Sequence, residues 1–186
     1  MSLLLPHEFN MVMSIKPSTS PALFIGATGD GDIGKMFTQT ISDKNYQNMQ
    51  VVLFTKRTLA HKRDDYVSSG KLTAGAISTN TVVVALPSTD ADVTLNKCAF
   101  NGTLIKQITI VRTGYYEGTV TPIIVDTYES CTIGSIVSYK IELQSITVFD
   151  FFYQKLTIEH GVGDLTTNKL TGSKGVTLDL NLKSVK

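Results

Sequence analysis

A single helix in a chain otherwise patterned as strands constrains the fold more than any other feature of this sequence. The β-branched run Thr81–Leu86 is typical of a core strand and is followed by Pro87, which cannot continue it. Ser88–Asp92 then supplies side-chain oxygens that can accept from the free N–H groups of a helix start. Asn101 and Gly102 favour a left-handed helix stop. The pattern therefore predicts one short α-helix over Ser88–Phe100.

The rest of the chain alternates with the period of strands. In Leu104–Arg112, Ile108 and Ile110 share one face while polar side chains take the other, as expected for a strand with one side on a core. Gly114–Gly118 is predicted as a turn, and the polar stretch Gly161–Gly175 as a loop. The other predicted strands are Ala22–Ile25, Gln50–Lys56, Val120–Thr127, Cys131–Val137, Ile146–Phe152, Leu156–His160 and Val176–Leu182. The fold class is mainly β.

Length and charge limit the function classes. A chain of 186 residues fits one domain, and its net charge of +1 provides no field to gather nucleic acid. Only 18% of the residues are charged, below the ~25% usual for soluble domains. Either partners cover part of the surface, or Ser and Thr replace charged residues there.

The first residues do not fit the folded pattern. Met1–Ser20 has no sustained period, so we expect a flexible N-terminal arm, with a single domain over 21–186. The arm lacks the basic start and long apolar run of a secretory signal, and no apolar stretch is long enough to span a membrane. We expect synthesis in the cytoplasm and no membrane insertion.

Cysteine and histidine offer no metal site. Cys98 and Cys131 each have apolar neighbours and are predicted to be buried structural thiols. His7, His61 and His160 lie in the arm, in a charged loop and at a strand end, so no spacing brings two of them onto one face.

Acid–base and nucleophilic catalysis find no support either. Asp126, Glu129 and Asp150 lie on or beside strands, but their spacing does not show that two carboxylates converge. The aromatic cluster Phe149–Tyr153 favours core packing over base stacking. We assign no catalytic, cofactor-binding or metal-binding residue and expect no cofactor and no enzyme activity.

The glycine-rich segment Gly26–Gly34 superficially resembles a phosphate or dinucleotide loop. A P-loop needs Ser or Thr after its lysine, but Met36 follows Lys35. A Rossmann unit needs a helix next, whereas Thr38–Gln50 has no helical apolar stripe. Asp30 and Asp32 also resemble the start of a calcium loop, without the ligands that should follow. A flexible loop is favoured, and nucleotide binding stays an alternative.

From Thr81 onward the order of features resembles the Hcp family, the tail-tube proteins of type VI secretion systems, related to phage tail tubes. The matching parts are Val82–Leu86, Ser88–Asp90, Leu95–Ala99 with Gly102, Ile105–Arg112, Tyr128–Ser138 and Phe152–Ile158. The N-terminal half matches more loosely, through Leu23–Ile25, Asp30–Asp32 and Gln50–Lys56. Val93 stands near the place where the family usually has a proline.

The resemblance implies a small β-barrel of two packed antiparallel sheets with the helix covering one opening. It also implies six-membered rings that stack into a tube, export without a cleavable signal peptide, and contacts with sheath, spike and effector proteins. A subunit of this kind acts by shape and needs no active site. The alternatives are a small β-barrel that binds an apolar ligand and a nucleotide-binding protein that uses Gly26–Gly34.

Overall fold

The computed structural model describes residues 4–8, 23–37, 48–61, 77–116, 119–141, 144–164, 169–180 and 184–185. These residues include ten strands, a longer α-helix, a 3-10 turn at Gly31–Lys35 and a short helical segment at residues 6–8. The elements are β1 Leu23–Thr28, β2 Gln50–Val52, β3 Phe54–His61, β4 Ile77–Pro87, α1 Ala91–Asn101, β5 Leu104–Tyr116, β6 Thr119–Ile141, β7 Gln144–Phe152, β8 Lys155–Asp164, β9 Lys169–Asp179 and β10 Ser184–Val185. No described helix is long and apolar enough to cross a membrane.

All the described strands belong to one antiparallel sheet, and β6 lies in both of its layers. Residues 124–129 of β6 lie between β5 and β8, whereas residues 132–141 pair with β7. The bend between these parts contains Ser130, a non-glycine residue with a φ of 54°. The predicted strands Val120–Thr127 and Cys131–Val137 are therefore one bent strand, because pairing continues through the bend.

A second corner closes the barrel at Leu53. β2 pairs with β1 and β3 pairs with β4, so the predicted strand Gln50–Lys56 is divided between the two layers. The Leu53 N–H donates to the Ala85 carbonyl at 2.8 Å, which ties the corner to β4. The neighbours β1, β5, β6, β7, β4 and β3 thus form a circuit that returns to β1 through β2. The predicted mainly β barrel is confirmed, and its two layers are parts of one continuous sheet.

Side chains that alternate inward fill the space between the layers. Tyr128 lies at the centre and makes edge contacts with Phe151 and Tyr153, with ring centroids 5.2 Å and 4.9 Å apart. Phe149 is also buried, whereas Phe152 points outward. The prediction of core packing is therefore confirmed for Phe149, Phe151 and Tyr153 and is wrong for Phe152. The other large buried residues include Ile25, Val82, Val84, Leu86, Ile105, Ile108 and Leu156.

The helix α1 packs on this core at the end of the barrel where β5 begins, which we call the helix end. Leu95 and Cys98 are buried in the main core and Ala99 packs against it. Gly102 adopts a φ of 59°, which confirms the predicted stop. The helix begins at Ala91, three residues later than expected, because the Ser88 N–H is bonded to the Ser145 carbonyl at 3.0 Å.

A chain of hydroxyl groups connects the start of α1 to β7. Thr147 Oγ1 donates to Asp92 Oδ2 at 2.7 Å, and a carboxylate can only accept. The Ser88 hydroxyl must therefore donate to Thr147, at 2.8 Å, and it accepts from Ser145 at 3.0 Å. This directional chain fixes the helix on the sheet.

The predicted loop Gly161–Gly175 is wrong in its described residues. Gly161–Asp164 continues β8, and Lys169–Gly175 begins β9. The two strands pair antiparallel with each other. Residues 172–176 are exposed, so this part of the hairpin lacks the apolar alternation that reveals a strand. The predicted turn Gly114–Gly118 is wrong for residues 114–116, which belong to β5, and its last two residues lie outside the described ones.

The start of the chain lies on the outer surface of the barrel. Leu4 is buried among Leu53, Ala85, Ile146 and Val148. Glu8 forms an ion pair with Lys56 at 2.7 Å and accepts from the Leu5 N–H at 2.8 Å. Both bonds lower the pKa of Glu8, the bond from Lys56 most. Residues 4–8 therefore pack against β3, β4 and β7. The rest of the expected arm lies outside the described residues.

Candidate functional site

A cavity of about 190 Å³ lies between β3 and the facing layer of β1, β5, β6 and β8. Its polar lining residues are Thr55, Arg57, Arg112, Asp126 and His160. Arg112 lies eight residues along β5 from the start of that strand, so about 26 Å separates this site from the helix end. We call it the open end.

Strand register aligns several basic residues at the open end. Leu23 pairs with Arg112, Arg112 with Ile124, and Ile124 with His160. His160 in turn pairs with Lys174 on β9. Paired residues on neighbouring strands share a face of the sheet, so the three basic side chains extend from the same face. We call Arg112, His160 and Lys174 the basic row.

The next inward-facing row, two residues along each strand towards the helix end, contains the acidic residue of the cavity, Asp126. Asp126 pairs with Ile110 on β5 and with Ile158 on β8, and its side chain is 19% exposed. Arg57 reaches it from β3, with Nη1 3.2 Å from Oδ2. The Tyr128 hydroxyl also donates to Oδ2, at 3.3 Å. The acid is thus engaged by a cation and a phenol.

The phenol of Tyr128 stays protonated at neutral pH. Burial raises its pKa, and the negative charge of Asp126 raises it further. Tyr128 therefore serves as a hydrogen-bond donor inside the barrel and is a poor proton carrier.

The three carboxylates that the sequence singled out are held by different partners. Asp126 binds Arg57, Glu129 binds Lys155 at 2.6 Å, and Asp150 accepts from the Ser135 N–H and hydroxyl at 2.5 Å and 2.9 Å. Among the described residues, no contact joins one of these carboxylates to another, so they form no acid–base pair.

Neither cysteine has the environment of a nucleophile. Cys98 and Cys131 are free thiols and buried, as predicted. Burial raises the pKa of both, and that of Cys131 reaches about 12. Both thiols therefore remain protonated and act as small core residues.

The part of the chain that the structure describes also contains no candidate metal site. No group of three or more His, Cys, Asp or Glu residues comes together there. His7 is exposed and His160 lines the cavity. The side chain of His61 lies outside the described set.

The glycine-rich segment does not have the geometry of a dinucleotide loop. Gly26 and Thr28 belong to β1, so the loop is shorter than predicted. β1 pairs antiparallel with both β2 and β5, whereas a Rossmann unit needs parallel strands. Asp30, the first acid of the supposed calcium loop, forms an exposed ion pair with Lys106 at 2.8 Å.

Sequence reasoning missed the basic row. Arg112 and His160 each end a predicted strand, and these two basic strand ends were the only sequence signal for the row. Their alignment depends on the register of β5, β6 and β8, and Lys174 was assigned to a loop. Only the pairing of strands brings the three residues onto one face.

The fold defines a class of small barrels in which one helix connects two strands of the wall. The barrel is similar to a solved structure described as a type six secretion system protein, with a TM-score of 0.75, 15% identity, and coverage of 90% of this chain and all of the other. Hcp1 from Salmonella typhimurium gives a TM-score of 0.68 and 12% identity with the same coverage.

Secreted protein Hcp3 from Pseudomonas aeruginosa gives a TM-score of 0.58 and 14% identity, over 82% of this chain and 96% of the other. No family model matches the sequence. No curated protein matches it either. The chain has the Hcp fold, which the resemblance from Thr81 onward predicted.

Proposed function

We propose that this chain is a structural, ring-forming subunit of a type VI secretion tail tube. The observation that supports the proposal most directly is the extent of the likeness to Hcp1, which covers 90% of this chain and the full length of that one. The barrel and its helix thus account for a complete Hcp fold. The proposal includes export from the cell, as the name of the secreted Hcp3 suggests.

Unpaired strand edges give the barrel a way to associate. Within the described residues β3 pairs only with β4. Among the described strands, β9 pairs with β10 only at Leu178 and Asp179, so none of them covers the second edge of Lys169–Thr177. Exposed edges invite pairing with another chain, and two different edges suit a head-to-tail contact, which closes into a ring when its rotation divides the circle. We propose a ring of six copies.

An apolar surface beside the helix supports the same proposal. Phe100, Leu104 and Phe152 are 93%, 57% and 44% exposed. Leu104 and Phe152 both pair with Thr132, so they extend from the same outer face of the sheet. Large apolar side chains exposed together are typical of surfaces that partners cover. We define this outer apolar patch by Phe100, Leu104 and Phe152.

The remaining parts of the proposal follow from the tube. Stacked rings would contact sheath and spike proteins outside and effectors in the lumen. A subunit of this kind performs no catalysis, in agreement with the separately engaged carboxylates and the protonated thiols. The division into an arm over 1–20 and a barrel domain over 21–186 is part of the same proposal.

The oligomeric state tests the proposal. Purified protein should sediment at six times the subunit mass and show rings by negative-stain microscopy. Leu104→Asp should shift the mass towards the monomer, because it places a charge in the outer apolar patch. Leu5→Asp, at a residue that is 51% exposed and lies outside the patch, is the matched control and should keep the rings. A strictly monomeric wild-type protein at high concentration would contradict the proposal.

A further inference from the structure

We propose that the open end of the barrel binds a small oxyanion, a carboxylate or phosphate group carried on a short aliphatic body, through Arg112 and His160, which line the cavity, with Lys174 of the basic row one strand beyond His160. This site needs only one copy of the chain and is independent of ring formation.

The first support is the arrangement of donors. The three residues lie on neighbouring positions of β5, β8 and β9, with only Ile124 of β6 interposed in the row. Strands are about 4.8 Å apart, so Arg112 and His160 stand roughly 10 Å apart at their backbones and can converge on one ion between them. A guanidinium, an imidazole N–H and an ammonium all donate to anionic oxygens.

The second support is the missing counter-charge. Among the described residues, no hydrogen bond or ion pair engages the side chains of Arg112, His160 or Lys174. The nearest acid in the deeper row, Asp126, is bound by Arg57 and Tyr128 through Oδ2, while its Oδ1 is buried with no hydrogen-bond partner among the described residues. An anion bound beside these side chains would supply the hydrogen-bond acceptor that they lack.

The third support is the shape of the cavity, which selects the class of ligand. Its volume of about 190 Å³ lies below the ~300 to 1,000 Å³ of pockets for drug-sized ligands. A nucleotide or a lipid chain is therefore too large. Leu23, Ile110, Ile124 and Ile158 supply an aliphatic lining beside the polar groups. An oxyanion with a few carbon atoms satisfies both parts of the wall.

Titration calorimetry of the full chain with butyrate and with butyl phosphate tests the site. Inorganic phosphate measures the contribution of the charge alone, while 1-butanol and butylammonium measure that of the aliphatic body without a negative charge. The backbone amide NMR signals of Ile124 and His160 report where each compound binds. The two anions separate a carboxylate site from a phosphate site.

The variants are Arg112→Gln and, as the matched control, Lys106→Gln. Both remove one positive charge from an exposed position of β5, but Lys106 lies outside the cavity and pairs with Asp30. We expect Arg112→Gln to weaken anion binding by about tenfold or more, since one charge-assisted hydrogen bond is lost. Lys106→Gln should leave the affinity unchanged. Circular dichroism verifies that both variants fold.

Three results would overturn the proposal. They are the absence of saturable binding by either anion, equal binding by 1-butanol, or equal weakening by Lys106→Gln and Arg112→Gln. The first excludes the site, the second excludes recognition of charge, and the third leaves only a general effect of net charge. None of these results depends on whether the chain forms rings.

Discussion

The two ends of the barrel are built from different chemistry. The helix end is closed by Leu95 and Cys98, which are buried in the main core. The open end contains the Arg57–Asp126 ion pair and a cavity lined by Arg112 and His160. One end excludes water with apolar side chains, whereas the other keeps charged groups in contact with solvent.

This difference separates stability from binding. Burial of apolar area is the dominant favourable contribution to folding, so substitutions at the helix end should act on the free energy of unfolding. Charges that remain partly hydrated contribute little to that free energy, but they can bind ions. Substitutions at the open end should therefore affect stability less.

The largest effect is expected for Leu95→Ala at the helix end. Leu95 is 0% exposed, and its truncation should lower the free energy of unfolding by about 2 to 5 kcal/mol. Val93→Ala on the same helix, at a residue that is 60% exposed, is the control and should change it by less than ~0.5 kcal/mol. Urea denaturation measures both. Equal effects would mean that α1 does not close the core.

Thr147→Val tests the hydroxyl chain at the same end. The change removes the donor to Asp92 and the acceptor for Ser88 in a buried place, at a cost of about 1 to 3 kcal/mol. Thr157→Val removes a partly buried hydroxyl that bonds to Thr177, and should cost less than ~1 kcal/mol. Urea midpoints compare the two. A neutral Thr147→Val would show that the chain does not fix the helix.

At the open end, Arg57→Gln should lower the free energy of unfolding by about 1 to 2 kcal/mol. The change removes the cation from a mostly buried carboxylate, a cost between those of breaking buried and exposed pairs. Lys155→Gln breaks the more exposed pair with Glu129 and should cost no more than ~1 kcal/mol. A loss as large as that of Leu95→Ala would remove the contrast between the ends.

The smallest effect is expected on the outer surface, at Glu8. Its pKa is lowered from 4.5 in the fold, so its stabilising contribution is complete above that value and is lost as the pH falls through the lower pKa of the folded state. The stability difference between the wild type and Glu8→Gln should therefore disappear in acid. Thermal unfolding over a pH series measures it. A difference that persists at the lowest pH would contradict the role of the carboxylate.

The helix end was largely predictable, but the open end was not. The stop at Gly102 and the apolar neighbours of Cys98 are local signals, and the structure confirms the stop and the buried thiol. The Arg57–Asp126 contact joins residues far apart in the chain, on strands of opposite layers. Local pattern carries no information about such a contact, because strand order and register decide it.

The sequence by itself determined that this protein is mainly β, with one helix between β4 and β5 and a free, buried pair of thiols. These properties follow from alternation, capping residues and apolar neighbours, which act over a few positions along the chain. Only the tertiary structure decided that β6 bends at Ser130 and serves both layers, and that the residues 161–164 and 169–175 belong to a hairpin. The tertiary structure also decided the alignment of Arg112, His160 and Lys174, since a shift of one residue in register would turn any of them to the other face.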